Sequence, residues 1–233
     1  MQCVVLAGGL ATRMRPRTET IPKWLLAVAG RPFVEWQLEW LAAEGVDEVV
    51  ACIGHLGQQV RDHVGDGRRF GLEVCYSEDG PALAGTAGAL RLADRRGLLR
   101  PRFLVLYGDS YLRLDVSAMW QAFEACGHPA MMSVFRNDGR YDTSNAAYEG
   151  GMVTRYSKTA GDGFPLTFID YGMVALSRSV LGAAGSSADL AVLYENLAEK
   201  RRLAGFEVTE RFYEIGSPGG LAELDALLRD GAR

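Results

Sequence analysis

The sequence of 233 residues contains few of the side chains that build metal centres or disulfide frameworks. It has 4 cysteines and 3 histidines, and Cys3, Cys52, Cys75 and Cys126 stand too far apart to form a CxxC pair. No histidine stands at ligand spacing from any of them. This pattern argues against a structural zinc site or a disulfide scaffold, so we expect four free thiols in a reducing compartment.

The sequence also lacks long apolar runs and an excess of positive charge. No apolar stretch approaches the length of a membrane span, and a strand pattern begins directly after Met1, so we expect a cytoplasmic protein with no membrane partner. With 25 basic and 29 acidic residues, the formal net charge is -4. Nucleic-acid binders normally carry a basic stripe that neutralises phosphates, so we expect no nucleic-acid partner.

Two common nucleotide-binding motifs are missing as well. The loop "LAGGLATRMRPRTETIPK" (residues 6–23) matches neither GxxxxGK[ST] nor GxGxxG, and the absence of the second argues against a Rossmann oxidoreductase. The loop is nevertheless rich in donors. Gly8 and Gly9 allow the backbone to approach a ligand closely, while Thr12, Arg13 and Arg15 supply hydrogen-bond donors. We therefore expect it to bind an anion.

Apolar runs alternate with helical patterns over residues 1–136. Continuous apolar runs are typical of parallel strands that are covered on both faces, and they predict strands over 3–8, 48–54, 72–77, 102–108 and 130–136. The segment 31–45 carries apolar residues at helical spacing and ends at Gly45, which predicts a helix packed on the sheet. The alternation indicates βαβ units with right-handed crossovers.

The pattern changes after residue 136. Residues 144–158, "SNAAYEGGMVTRYSK", read as two strands joined by a glycine turn, followed by a strand over 168–177 and a helical stretch near 188–203. Because ligands of open α/β sheets bind at the carboxyl ends of the strands, we expect the chemistry in the loops that follow strands.

Several segments together resemble one family. "LAGGLATRMRPRT" followed by "PKWLLAVAGRPFVEW" is similar to the signature of the sugar-1-phosphate nucleotidyltransferases, roughly LAGGxGTRLxPxT and then PKxLxPV. Further matches are "GTAGAL" (85–90), "YGDS" (107–110), "VTRYSK" (153–158), "DYG" (170–172) and "EIGSP" (214–218). Taken singly these residues would more often be surface charges or turns. Their occurrence in register over almost the whole chain carries the resemblance.

The resemblance implies both a fold and a reaction. The fold would be a Rossmann-like three-layer α/β/α structure with a mixed, mainly parallel sheet, of the nucleotide-diphospho-sugar transferase type, with a small β-rich sugar-binding part. Residues 1–233 would form one domain, with 1–136 mainly binding nucleotide and 137–233 mainly binding sugar phosphate. In this family a sugar 1-phosphate attacks the α-phosphate of an NTP in line, with Mg²⁺, and releases pyrophosphate. Family members are often dimers or larger assemblies, so the oligomeric state stays open, with a homodimer as one alternative that the resemblance implies.

The resemblance also assigns catalytic roles. Arg13 would bind the triphosphate tail, and Lys23 would contact the reacting phosphate. Asp109 would be a Mg²⁺ ligand, and Glu214 would stand in for the second family carboxylate, usually an aspartate. Lys158 would grip the sugar phosphate.

Further residues would contact the two substrates. The nucleotide side would include Leu6, Ala7, Gly8, Gly9, Thr12, Arg13, Glu78, Gly85, Thr86 and Gly88. The sugar side would include Asn145, Lys158, Asp170, Tyr171 and Gly172. One departure concerns the first loop, because Ala11 stands where the family prefers glycine and has less access to positive φ.

Substrate identity stays open between alternatives. The compact length and the segments 55–80 and 210–218 look most like short bacterial transferases for mannose-type, heptose or N-acetylmuramic acid 1-phosphates. Our narrow prediction is guanylyl transfer from GTP to D-glycero-D-manno-heptose 1-phosphate or mannose 1-phosphate, with thymidylyl, uridylyl or cytidylyl transfer as alternatives. A non-catalytic sugar-nucleotide-binding regulator is the alternative from another class. Retention of Arg13, Lys23, Asp109 and Lys158 argues against it, and Glu214 is the one feature in its favour.

Overall fold

A computed structural model describes residues 1–80, 82–158, 166–185 and 187–231. Its strands are β1 Gln2–Leu6, β2 Ala27–Val28, β3 Arg31–Pro32, β4 Glu48–Ile53, β5 Glu73–Glu78, β6 Arg102–Tyr107, β7 Ser110–Tyr111, β8 Ala130–Arg136, β9 Ala146–Glu149, β10 Met152–Tyr156, β11 Phe168–Ser177, β12 Leu203–Val208 and β13 Tyr213–Glu214. Its α-helices are α1 Phe33–Ala43, α2 Gly57–Val64, α3 Gly85–Arg95, α4 Val116–Ala125, α5 Leu190–Glu199 and α6 Pro218–Gly231.

In the described part of the chain, nine strands form one mixed sheet in the order β5-β4-β1-β6-β11-β8-β12-β10-β9. The first four are parallel, so their carboxyl ends, including Leu6 and Tyr107, lie at one edge. Strands β1, β4 and β6 are almost continuously buried, as their unbroken apolar runs predict, whereas β5, at the end of the sheet, is buried only at Val74 and Ser77. The five strands predicted before residue 137 are all present, with ends within two residues of the expected positions.

Strand β11 joins the two halves of the sheet. It runs antiparallel to both β6 and β8, with an irregularity in its register to β8 between Asp170 and Val174. The predicted glycine hairpin is confirmed, because β9 and β10 pair across Gly150 and Gly151, whose φ angles are 58° and 81°. Two consecutive residues with positive φ match the twist of a two-residue hairpin turn.

Helices cover both faces of the sheet. Successive residues of β1 point to opposite sides, so Cys3 and Val5 pack with α1, α2, α4 and α6, while Val4 packs with α3 and α5. This arrangement confirms the three-layer α/β/α fold. The four cysteines are free, with Cys3 and Cys52 buried and the other two half-buried. None of the helices in the described ranges has the length and apolarity that crossing a membrane requires.

Candidate active site

A cavity of about 240 Å³ opens at the carboxyl edge of the parallel strands. It is lined by Leu6, Ala7, Gly8, Gly9, Lys23, Trp24, Cys52, Asp79, Leu83, Gly85, Thr86, Ala89, Tyr107, Gly108 and Asp109. The loop after β1, the start of α3 and the end of β6 therefore meet around one space. Eight of the residues assigned to the site from the sequence lie on its wall. This is the position at which open α/β sheets bind ligands.

Close packing of the loop after β1 explains why one of its residues is glycine. A Cβ atom placed on Gly8 would lie 3.1 Å from the backbone nitrogen of Gly54, so a side chain would push the two loops apart. The carbonyl oxygen of Gly8 also accepts a hydrogen bond from the His55 N–H at 3.3 Å. Gly9 differs, since a Cβ there would meet no described atom within 4 Å. Gly8 thus fixes the loop against β4, whereas Gly9 leaves space on the cavity side.

Lys23 and Asp109 form an ion pair on the cavity wall. The Lys23 Nζ lies 2.6 Å from the Asp109 Oδ2, and the two side chains are only 23% and 22% exposed. Lys23 is held by its neighbour Trp24, whose indole N–H donates to the Oε1 of buried Gln37. The amide of Gln37 donates in turn to the carbonyl oxygens of Tyr107 and Ser110, on either side of Asp109. One hydrogen-bonded chain therefore sets the relative positions of both charges.

Glu214 and Arg13 complete a charged cluster beside this pair. The short antiparallel ladder between β7 and β13, extended by a 2.9 Å bond from the Ile215 N–H to the Asp109 carbonyl, places Glu214 next to Asp109. A Cβ atom placed on Gly216 would lie 3.0 Å from the Arg13 Nη2, 3.3 Å from the Asp109 Oδ2 and 3.4 Å from the Glu214 Oε1. The three side chains therefore converge on a single point.

The electrostatics of the cluster suit an added cation. Burial, followed by the charge of Asp109, raises the pKa of Glu214, while the charges of Arg13 and Lys23 oppose the rise. Among the described residues, no group of three or more His, Cys, Asp or Glu side chains is placed to hold a metal ion alone. Two neighbouring carboxylates nevertheless fit a Mg²⁺ ion, which is commonly bound by one or two carboxylates together with substrate phosphates.

A second set of predicted residues lies next to Tyr107. The Tyr107 hydroxyl donates to the Asp170 Oδ2 at 3.3 Å, and the Asp170 N–H donates to the Asn145 Oδ1 at 2.8 Å. The Gly172 N–H donates to the Asp170 Oδ1 at 3.0 Å. Burial raises the pKa of Asp170 to about 6, although the bonds from Gly172 and Tyr107 and the charge of Lys158 favour the charged form. Because Tyr107 lines the cavity, Asn145, Asp170 and Gly172 are connected to it through one side chain.

Lys158 lies outside the wall of the cavity. Its Nζ is 2.8 Å from the Oδ1 and 2.9 Å from the Oδ2 of Asp189, and the side chain is half-exposed. The Thr86 hydroxyl, which does line the cavity, donates to the same Asp189 Oδ1 at 3.3 Å. Lys158 is therefore separated from the cavity by one carboxylate.

Two side chains assigned from the sequence point away from the cavity. Tyr171 is 1% exposed in the core, and its hydroxyl is bonded to the backbone of Arg113. Successive strand residues face opposite sides of a sheet, so Asp170 and Tyr171 cannot both face a sugar. Glu78, the last residue of β5, is exposed and lies 3.8 Å from Arg61. Thr12 and Gly88 are likewise not among the described residues that line the cavity.

Asp79 lines the cavity and was not singled out in the sequence. Its N–H continues the β4–β5 ladder with a 2.8 Å bond to the Ile53 carbonyl, and its Oδ2 accepts from the Ala84 N–H at 3.1 Å. Burial raises the pKa of this carboxyl, opposed by the bond from Ala84. The signal was the acidic pair at 78–79, because consecutive residues at a strand end point in opposite directions and only one can face the ligand.

Comparison with known proteins places the chain in a family. A family model described as "Nucleotidyl transferase" matches residues 2–147. The chain belongs to the nucleotidyl transferase family. It is also 31% identical to an N-acetylmuramate alpha-1-phosphate uridylyltransferase from Neisseria meningitidis over 230 residues, which are 97% of this chain and 98% of that protein.

A more distant relative agrees with this assignment, and a solved structure agrees with the fold. The chain is 29% identical to a D-glycero-alpha-D-manno-heptose 1-phosphate guanylyltransferase from Campylobacter jejuni over 51% of this chain and 52% of that protein. A crystal structure of a protein from Bacillus anthracis matches in fold with a TM-score of 0.84 at 22% identity, covering 99% of this chain and 96% of that one. The nucleotidyl transferase described here is accordingly an enzyme of the sugar-1-phosphate nucleotidyltransferase class.

Proposed function

We propose that the nucleoside triphosphate binds in the 240 Å³ cavity and that its α-phosphate reacts beside the Lys23–Asp109 pair. The observation that carries this proposal is the convergence of Arg13, Asp109 and Glu214 at one point next to the glycine loop. Positive and negative side chains beside a cavity at the carboxyl edge of the sheet are what phosphoryl chemistry needs, since catalysis there consists mainly of positioning and charge neutralisation.

The proposed reaction is an in-line displacement. A phosphate oxygen of the sugar 1-phosphate forms a bond to the α-phosphorus, and the bond from the α-phosphorus to the bridging oxygen breaks, releasing pyrophosphate. Lys23 donates to the reacting phosphate, and Arg13 neutralises the leaving pyrophosphate through its planar guanidinium. Asp109 and Glu214 would hold Mg²⁺, which, when bound, neutralises charge on the phosphates.

For the substrate pair we place UTP and N-acetylmuramic acid α-1-phosphate first. The relative that supports this choice matches nearly its full length, whereas the heptose guanylyltransferase matches about half of its own. Guanylyl transfer to a heptose or mannose 1-phosphate, the narrow prediction from the sequence, is the second pair. Asn145, Asp170 and Lys158 belong to the proposed sugar side, within the half formed by residues 137–233. A homodimer stays a prediction.

A substrate grid tests the proposal. Purified protein with Mg²⁺ is given UTP, GTP, CTP, ATP or dTTP with each of several sugar 1-phosphates, and pyrophosphate release is measured. We expect release with at least one pair, and we expect Asp109→Asn to lower turnover at least about 100-fold, since a lost metal-ligand charge removes several kcal/mol of transition-state stabilisation.

A matched control separates chemistry from folding. Asp115→Asn makes the same change at the exposed first turn of α4, where Asp115 accepts a hydrogen bond from the Ala118 N–H. The hydroxyl of the neighbouring Ser117 donates to the carbonyl oxygen of Glu44, which follows α1. This contact lies near the start of β1, at the opposite edge of the sheet from the cavity. We expect this variant to keep wild-type turnover. If the wild type released no pyrophosphate with any substrate pair, the proposed function would be refuted. Full turnover of Asp109→Asn would refute the role of that carboxylate.

A further inference from the structure

Asp189 joins three elements at the edge of the site and has no part in the proposed reaction. It immediately precedes α5, and its Oδ1 accepts a 3.0 Å hydrogen bond from the Ala191 N–H in the first turn of that helix. The same carboxylate holds the ammonium of Lys158 through both oxygens. It also accepts from Thr86 on α3. One side chain thus links α3, α5 and the segment after β10.

The link to Thr86 is reciprocal. The Thr86 hydroxyl oxygen accepts a 2.9 Å hydrogen bond from the Leu190 N–H, next to Asp189, while its proton is directed to the Asp189 carboxylate. Thr86 lies in the first turn of α3 and on the cavity wall. The position of Asp189 is therefore tied directly to the nucleotide side of the proposed site.

Backbone contacts hold the same segment against α3. The Ala87 N–H donates to the Ala188 carbonyl at 2.8 Å, and the Arg91 guanidinium donates to the Ser187 carbonyl at 2.7 Å. At Gly85 the approach is so close that a Cβ atom would lie 2.6 Å from the Ala188 carbonyl oxygen. Residues separated by about a hundred positions are thus locked together, and Asp189 has a fixed place from which to act on Lys158.

The chemistry of the ion pair favours positioning over stability. Lys158 and Asp189 are 49% and 47% exposed, and exposed pairs of this kind contribute little to the free energy of unfolding. An ammonium has three N–H donors, so it can hold both carboxylate oxygens and still donate to a phosphate oxygen. A lysine side chain fixed in this way loses less conformational entropy when it binds an anion.

We propose that Asp189 is a positioning residue that holds the Lys158 ammonium beside Thr86, so that the lysine meets the phosphate of the incoming sugar 1-phosphate at the rim of the nucleotide cavity. The inference rests on the proposed function, which assigns Lys158 to that phosphate. It adds that the nucleotide half fixes the lysine of the sugar half through a single carboxylate. Asp189 itself acts only through Lys158 and touches neither substrate.

Asp189→Asn tests the proposal with little risk to the fold. Asparagine serves as well as aspartate at a helix N-cap, so α5 keeps its capping hydrogen bond while Lys158 loses its charged partner. We expect the KM for the sugar 1-phosphate to rise about three- to tenfold through the lost preorganisation of one long side chain. The kcat and the KM for the NTP should stay within about twofold, because the reacting cluster is unchanged.

Further variants identify the cause. Asp189→Glu keeps the charge and should recover part of the wild-type KM, and Asp115→Asn, the same change at the N-cap of α4, should leave all constants unchanged. In a Lys158→Ala background, Asp189→Asn should have no further effect on the KM for the sugar 1-phosphate. Asp189→Ser, which also retains an N-cap oxygen, replaces Asp189→Asn if that variant does not fold.

The outcomes separate this inference from the function on which it rests. A wild type that releases pyrophosphate with no substrate pair refutes the proposed function. An active wild type whose Asp189→Asn variant keeps or lowers its KM for the sugar 1-phosphate refutes only the positioning role. An effect of equal size in the Lys158→Ala background also refutes it, since Asp189 would then act without the lysine.

Discussion

At the scale of single residues, Ala11 limits what the first loop can tolerate. Its φ of 48° lies in the left-handed region, where a non-glycine residue costs about 1–2 kcal/mol. Two hydrogen bonds to its carbonyl oxygen, both 2.9 Å, come from the Met14 N–H and from the hydroxyl of buried Thr18. The structure therefore confirms that the position needs the conformation for which the family uses glycine, and the loop accommodates a methyl group there.

Larger side chains at this position should not be accommodated. We predict that Ala11→Val lowers the free energy of unfolding by about 1–2 kcal/mol, because a β-branched residue is strongly disfavoured at positive φ. Ala27→Val is the matched control, since Ala27 is exposed in the extended strand β2, where valine is favourable. The free energy of unfolding of Ala11→Gly should lie within about 0.5 kcal/mol of the wild-type value. Relief of strain and the greater freedom of the unfolded chain offset each other in this variant. Equal stability of both valine variants in urea denaturation would contradict the prediction.

At the scale of elements, the sequence predicts periodic features better than the direction of individual side chains. Continuous apolar runs and the pair Gly150–Gly151 are local signals, and they located the parallel strands and the hairpin. The alternation of Asp170 with Tyr171 depends equally on local geometry, but the family motif groups both residues although Tyr171 is buried in the core. Apolar periodicity could therefore have excluded the Tyr171 side chain from the cavity.

No local pattern in the sequence predicts which distant elements pack together. The contact between Gly85 and Ala188 joins α3 to the segment before α5, and no local pattern marks either residue as a partner of the other. The same holds for the bond between Thr86 and Asp189. The motif "GTAGAL" placed Gly85 on the nucleotide side of the site, and its packing against Ala188 became clear only from the folded chain.

The packing of α3 can be tested at Gly85 and Gly97, which lie at the two ends of the helix. Both have positive φ, 71° and 72°, but only a Cβ on Gly85 would meet another backbone. We predict that Gly97→Ala lowers the free energy of unfolding by about 1 kcal/mol through strain alone. Gly85→Ala should lower the free energy of unfolding by about 1–3 kcal/mol more than Gly97→Ala, because it adds steric overlap in a packed contact. Thermal or urea denaturation measures both, and equal losses would show that the Ala188 contact does not constrain α3.

At the scale of the whole molecule, the charged cluster of Arg13, Asp109 and Glu214 exists only in the folded chain. Arg13 follows β1, Asp109 follows β6 and Glu214 ends β13, so residues about two hundred positions apart meet at one point. The parallel strands set the first two positions, and the ladder between β7 and β13 sets the third. A ligand that binds this cluster binds only the native state and must stabilise the fold as a whole.

Nucleotide binding should therefore raise the melting temperature. At a free concentration about 100 times its Kd, a ligand adds about 2.7 kcal/mol, which corresponds to a rise of about 5–10 °C for a chain of this size. We predict this shift for UTP with Mg²⁺ in a thermal denaturation scan, and a smaller shift for GTP at equal concentration. EDTA should reduce the shift with UTP, because Asp109 and Glu214 then share no cation with the phosphates. Arg13→Ala should reduce the shift through the lost contact to the triphosphate tail, whereas Asp115→Asn should leave it unchanged. No shift with any NTP would show that the cavity is not the nucleotide site, and a larger shift with GTP would reverse the order of the two substrate pairs.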